Sequence, residues 1–209
     1  MIEWSSRSIG RAMAALAVIG TASLLSGCGH ENKVTRVDTG TVTDLSGRWN
    51  DTDSRMVADT MVKEAVGSPW LDNFAKSKSR KPVDIVGTIV NKSHEHINVL
   101  TYVSDLEREL TNSQRVMFVA GKGEREEVRE ERREQAVRAR EDTQKAPGKE
   151  LGADYMMRGS ISTILDEQDG TKAVFYQIDL EMVDLENNVK SWFGQKKIKK
   201  VIEKKRTIF

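Results

Sequence analysis

Ala173-Val174-Phe175-Tyr176-Gln177-Ile178-Asp179-Leu180-Glu181-Met182-Val183-Asp184 alternates along its whole length. Val174, Tyr176, Ile178, Leu180 and Met182 fall on one side, and Gln177, Asp179 and Glu181 on the other. A period of two with one apolar side is the pattern of a half-buried strand. The same period runs upstream from Tyr155 to Leu165. There Tyr155, Met157, Gly159 and Ile161 face one way, and Arg158, Ser160 and Ser162 the other. Asp169-Gly170 between the two predicts a hairpin. Downstream, Glu186-Asn187-Asn188 predicts a second tight turn into a strand from Val189 to about Ile198. The last third therefore reads as an antiparallel three-stranded meander.

The chain before it has a different rhythm. Val83 to Val90 is nearly all apolar and β-branched, as a strand buried on both faces would be. Arg115 to Ala120 reads as a second strand. A helix is expected from about Ser54 to Val66, with Asp51 or Asp53 as N-cap and Gly67-Ser68-Pro69 as its stop. Trp70, Leu71 and Phe74 predict a short helix ending before Lys76. Asn98 to Thr111 predicts another, with Leu100, Val103, Leu106 and Leu110 on one stripe. Residues 122–142 are densely charged, with pairs such as Glu126–Arg129, Glu130–Arg133 and Glu134–Arg138 at helical spacing. They read as a solvated helix or, alternatively, as a docking surface. Pro147 and Gly148 interrupt, leaving room for one helical turn ending at Gly152. Two early strands that need long crossovers, followed by a meander, give an α/β fold. The expectation is a single domain with a mixed sheet of about five strands, ending in an antiparallel meander and flanked by helices.

The N-terminus decides location. Arg7 and Arg11 precede an apolar run from Ala12 to Leu24 that ends in Leu25-Ser26-Gly27-Cys28. A positive start, a short apolar segment and small residues before a cut form a secretory signal peptide. Leu-Ser-Gly-Cys resembles the bacterial lipobox, which implies lipid attachment at Cys28 after removal of residues 1–27. Gly29 follows, and not the Asp associated with inner-membrane retention in enteric-type sorting. Outer-membrane placement on the periplasmic face is expected. Residues 28–40 are polar and aperiodic, a tether to a globular domain over residues 41–209.

Processing would leave 182 of the 209 residues, with 31 basic and 31 acidic side chains. A balanced charge argues against nucleic acid as partner. Cys28 is the one cysteine, so its acylation leaves no thiol for disulfides or metal. No second apolar run is long enough for a transmembrane helix.

Catalytic groups are sparse. His94-Glu95-His96 offers two imidazoles where zinc would need three or four ligands, and His30 lies in the tether. Gly121-Lys122-Gly123 lacks the rest of a phosphate-binding loop. Asp44, Asp51 and Asp53 suit turns and caps better than a cation site. Trp49, Trp70 and Trp192 read as core or rim. No enzymatic activity, cofactor or metal is expected.

Three passages carry a resemblance. They are Asp44-Leu45-Ser46-Gly47-Arg48-Trp49-Asn50-Asp51-Thr52-Asp53, Glu150-Leu151-Gly152-Ala153-Asp154-Tyr155-Met156-Met157-Arg158-Gly159-Ser160-Ile161, and Trp192-Phe193-Gly194-Gln195-Lys196-Lys197-Ile198-Lys199-Lys200. Together with Tyr176-Gln177-Ile178-Asp179-Leu180-Glu181, they resemble the LpoB type of outer-membrane lipoprotein that activates penicillin-binding proteins, across residues 41–202. The resemblance implies a domain like the N-terminal domain of TolB. It implies a non-catalytic role, binding and stimulating a bifunctional peptidoglycan synthase. One departure bears on this: enteric members carry a long Pro-rich linker, and here Pro69, Pro82 and Pro147 all lie outside the tether. The alternative is a structural envelope lipoprotein that docks another partner near the outer membrane.

Overall fold

The computed structural model describes residues 33–145 and 147–203. The signal segment, Cys28, His30, the start of the tether and the end of the basic tail lie outside the described residues. Residues 33–39 have almost no regular structure and are exposed. From Gly40 onward the chain forms one compact unit.

Its elements are α1 (Asp51–Val66), α2 (Pro69–Lys78), β1 (Val83–Lys92), α3 (Val99–Ser113), β2 (Met117–Phe118), α4 (Lys122–Arg138), β3 (Tyr155–Gln168), β4 (Thr171–Asp184) and β5 (Lys190–Glu203). The five strands make one mixed sheet in the order β2-β1-β3-β4-β5. β1 pairs parallel with β2 and β3, and β3-β4-β5 is the expected antiparallel meander.

Alternation sets the core. Val174, Tyr176, Ile178, Leu180 and Met182 are fully or almost fully buried, as the opening stretch predicts. They join Met157 and Ile161 of β3 beneath Val57, Met61 and Ala65 of α1 and Tyr102, Leu106 and Leu110 of α3. At α2, Trp70 and Phe74 pack edge-on against Tyr155, at 4.7 and 5.6 Å between ring centroids.

Several expectations need correction. Asn50, not Asp51 or Asp53, is the N-cap of α1; its side chain accepts from the Asp53 N–H while Asp53 accepts from the Asn50 N–H. This reciprocal box starts the helix earlier than Ser54. α2 runs on to Lys78. Leu100 is exposed, because it falls off the α3 stripe that Tyr102, Leu106 and Leu110 define. β1 is buried on both faces only over Val83–Val86; Thr88 and Val90 are exposed. β2 is two residues long, since its partner β1 hydrogen-bonds it only near Pro82 and Asp84 before the chain leaves for α4. The helical turn expected before Gly152 is absent.

α4 buries none of its residues. Arg129 donates to both Glu150 oxygens at 2.9 Å, and Arg132 joins at 3.1 Å. Exposed ion pairs contribute about 0–1 kcal/mol each. Replacing Arg133 and Arg138 with Gln should therefore move stability by less than about 0.5 kcal/mol per site in urea denaturation. A larger loss would mean that the helix is part of the cooperative core.

Candidate docking surface

Helices cover one face of the sheet. On the other, Arg158, Ile164, Phe193, Lys197, Lys199 and Val201 are all exposed. Register explains who sits there: Arg158 opposes Glu181, Glu181 opposes Phe193, and Asp179 opposes Gln195. The two carboxylates nearest Phe193 are occupied. Arg158 Nε donates to Glu181 Oε1 at 2.6 Å and Lys190 Nζ lies 2.5 Å from Oε2. The Lys190 hydrogen bond outweighs burial and, with Arg158, holds the Glu181 carboxyl below its ordinary range. Asp179 accepts from Gln177 at 2.9 Å and from Gln195 at 2.8 Å.

Lys92, Lys197 and Lys199 form no ion pair among the described residues, and they share the face with apolar side chains and, toward its far end, with exposed Asp166 and Glu203. Phe193 is 57% exposed and Val90 44%. Between them a shallow cavity of about 360 Å³ is walled by Val90, Lys92, Arg158, Glu181 and Phe193. Gly159 lets the strands close there: a β-carbon would lie 2.1 Å from Asp179 O and 2.7 Å from Leu180 Cδ2. An exposed aromatic ringed by charged side chains is the make-up of a protein-contact surface. It contains no nucleophile–base pair.

The other sequence-selected residues turn out to hold the fold. Glu95, between the two histidines, accepts the Trp49 N–H at 3.2 Å and the Tyr176 hydroxyl at 2.8 Å. Burial, with the Glu95 bond behind it, pushes the Tyr176 phenol well above its ordinary range. His94 Nδ1 lies 2.6 Å from Thr163 Oγ1. Among the described residues no group of three or more potential ligands gathers for a metal. Asp51 pairs with Arg55 at 3.1 Å. Asp44 and Asp53 converge on Lys200, at 2.6 and 2.7 Å from Nζ, which also donates to Arg48 O at 3.1 Å. Gly121-Lys122-Gly123 is the start of α4, where Glu124 accepts the Gly121 N–H.

Sequence reasoning missed two acids. Asp154 ties three segments together: it takes both Arg80 guanidinium nitrogens at 2.7 Å and the Val83 N–H at 2.8 Å, and its carbonyl accepts from Leu185. Burial pulls the Asp154 carboxyl up, but the Arg80 and Val83 bonds outweigh it and leave it lowered. Beside it, a cleft of about 840 Å³ opens between α2 and the β4–β5 turn, lined by Trp70, Phe74, Lys78, Tyr155, Asp184 and Glu186. Asp84 is fully buried, and neither of its carboxyl oxygens has a hydrogen-bond partner. No spacing in the sequence marks either role.

Comparison with known proteins places this arrangement. The model of the family described as peptidoglycan-synthase activator LpoB matches residues 53–198, from the first turn of α1 into β5. No curated protein matches the chain. Among solved structures, the chain is similar to the LpoB C-terminal domain from Escherichia coli, with 13% identity over 70% of this chain and 98% of that one, at a TM-score of 0.43. The NMR structure of E. coli LpoB is matched at 11% identity over 85% and 87%, with a TM-score of 0.39. Lipoprotein GNA1162 from Neisseria meningitidis follows at 12% over 60% and 88%, with a TM-score of 0.36. With the family model covering well over half of the chain, from α1 into β5, this chain belongs to the LpoB family of peptidoglycan-synthase activators.

Proposed function

We propose that this chain is an outer-membrane lipoprotein, acylated at Cys28 once residues 1–27 are removed. Its domain over residues 41–209 presents the open sheet face to a peptidoglycan synthase, a bifunctional penicillin-binding protein. Contact alone raises the activity of the synthase; this chain catalyses nothing. The observation that carries the reading is the exposed Phe193, set beside a cavity whose acids, Asp179 and Glu181, already have partners and whose one lysine, Lys92, forms no ion pair. A partner segment with an apolar anchor and flanking carboxylates would fit there. A photocrosslinking residue at position 193 of the native lipoprotein should capture the synthase in cells. Capture from exposed Leu100 on α3 but not from 193 would place the contact elsewhere.

Anchoring has its own test. Cys28→Ala should release an unacylated form from the outer-membrane fraction and abolish palmitate labelling. Retention of both would sink the lipid assignment.

A second reading rests on the tether. Cys28 to Asp44 is 16 steps, a reach of at most about 60 Å when fully stretched and much less when relaxed. On that geometry the domain works close to the outer membrane, with a partner there or one projecting through the wall. Inserting a long Pro-rich segment after Lys33 separates the readings. Efficient capture of an inner-membrane synthase by the natural chain supports the activator. Capture only by the lengthened form means that reach is limiting.

A further inference from the structure

The arginines of α4 gather on its inner side. Arg125, Arg129 and Arg132, at spacings of four and three, are half-buried and line the space between the helix and residues 147–151. Glu127 and Glu131 stand on the outer side, exposed and without an ion pair among the described residues. The one carboxylate lining the inner space is Glu150, held by Arg129 at 2.9 Å and by Arg132 at 3.1 Å. The Arg129 hydrogen bond overcomes burial and, with the charges of Arg132 and Arg125 behind it, keeps the Glu150 carboxyl below its ordinary range. Arg125 is left over. Its guanidinium has no hydrogen bond or ion pair among the described residues, and its Nε is shut off from solvent with no acceptor. Lys149, exposed beside Glu150, forms no ion pair among them either.

Two cavities open along this side, of about 470 and 410 Å³, with Arg132, Gly148 and Glu150 as shared walls. Their walls bring five cations, Arg125, Arg129, Arg132, Arg133 and Lys149, to one carboxylate. Glu126 and Glu130 reach Arg129 and Arg133 from outside the cavities, which still leaves two cations in excess. Next to Arg125 and Lys149 the wall is apolar, formed by Phe118, Val128 and Leu151, the last 55% exposed. A guanidinium half-withdrawn from water without a counter-charge costs the fold stability, and an entering anion offsets that cost. The surroundings select the anion. Arg125 and Arg132 leave the helix about 10 Å apart along its axis, so the cations form a row and not a single socket. Three residues of an extended chain cover such a row. The apolar wall calls for side chains next to the charge, which a peptide carries and an inorganic ion lacks. A flat anionic bilayer would meet Glu127 and Glu131 before it reached the recessed arginines.

We propose that the space between α4 and residues 147–151 binds an extended acidic segment of a protein partner. One carboxylate seats on Arg125 and Lys149, a second three residues on shares Arg132 with Glu150, and an apolar side chain near the first packs on Phe118 and Leu151. Charge sets the attraction, so it weakens as salt shortens the screening length. None of these residues lines the cavity at Phe193, so the two contacts stand or fall separately.

The probe is a fluorescein-labelled peptide with Glu at every third position and Leu or Ala between. It is titrated with the full-length lipoprotein in non-ionic detergent and followed by anisotropy. Half-saturation should fall below about 0.3 mM at about 0.05 M salt, and binding should weaken at least about fivefold at about 0.5 M. The same peptide with Gln for Glu should not bind. Arg125→Gln with Lys149→Gln should weaken binding at least about tenfold, because both cations lack a carboxylate of their own and Glu150 keeps its two arginines. Lys197→Gln with Lys199→Gln removes the same charge from the open sheet face and should change binding less than about twofold. No half-saturation by that point, natural-level binding by the first variant, or an equal loss from the second overturns the proposal. If phosphatidylglycerol vesicles or inorganic phosphate require Arg125 and Lys149 while the peptide does not bind, the ligand is a phosphate and the proposal fails. Should Arg125→Gln alter the far-ultraviolet spectrum, Lys149→Glu alone, in a segment without regular structure, replaces it. It must weaken binding at least about fivefold, and natural-level binding by it overturns the proposal.

Discussion

Unfolding free energy should fall by about 1.4 kcal/mol for each pH unit as pH rises from about 4 to about 8. The cause is Asp84. The β1–β3 register sets it level with Tyr155, on the helix-covered side, with Phe118 of β2 across from it. Burial, with a smaller push from Asp154, raises its carboxyl from 3.8 to about 8. In this window the folded chain holds a proton there that the unfolded chain has released. Folding thus binds a proton, and stability must decline as protons become scarce. Below about 4 both states are protonated, and above about 8 both are ionised, so the slope ends at each limit. The accumulated change is of order 5 kcal/mol, most of the margin of an ordinary domain. Asp44, Glu150, Asp154 and Glu181 are shifted the opposite way, and act only below the ordinary carboxylate range. Asp84→Leu should flatten the slope and gain about 1–3 kcal/mol at pH 7, since an unpartnered polar group leaves the core. Asp84→Asn should flatten it without that gain. An unchanged slope in either variant would assign the proton to another group.

Lys200→Ala should cost about 3–5 kcal/mol, the usual loss when one member of a buried ion pair is removed. The Lys200 side chain is 11% exposed and that of Asp53 5%, so little solvent is present to compensate. Burial works against the ammonium, but Asp44 and Asp53 outweigh it and raise its pKa. The ammonium therefore stays charged up to the ordinary lysine value and beyond, and the clamp fails above that range and again in acid, where Asp44 becomes protonated. Asp53 also completes the cap of α1, so losing Lys200 loosens the helix start and the 44–50 segment together. Urea unfolding at pH 7 reads the loss, and a change under about 1 kcal/mol would show the cluster to be solvated.

How far the sequence could be read follows from what it encodes locally. Period-two alternation is a local property, so β3 and β4 and their buried faces were legible down to single residues such as Leu180, while β5 was placed without a buried face and ended at about Ile198 where it runs to Glu203. The glycines of the resembling passages were visible as a pattern, but their reason is three-dimensional. Gly47 has φ +68° with Ile202 against it, Gly194 leaves 2.3 Å to the Trp192 ring, and Gly159 sits on Asp179 O. Partners far apart in sequence were not legible. Lys200 reaches Asp53 across 147 positions and Arg80 reaches Asp154 across 74, and neither spacing has a signature. Glu95 looked like part of a histidine cluster, whereas its partner is Tyr176, 81 positions away. The open face was half legible: Arg158, Asp179 and Glu181 were assigned to the polar side, but Phe193 acquires its meaning only from the register that sets it beside Glu181.

The most direct measurement is the rate of glycan polymerisation by a purified bifunctional penicillin-binding protein, with and without the native lipoprotein. The account predicts a clear rise with the natural chain. It predicts no rise with a Phe193→Glu, Arg158→Glu variant that keeps the natural fold and anchor. No rise with the natural chain, or an equal rise with the variant, would contradict it.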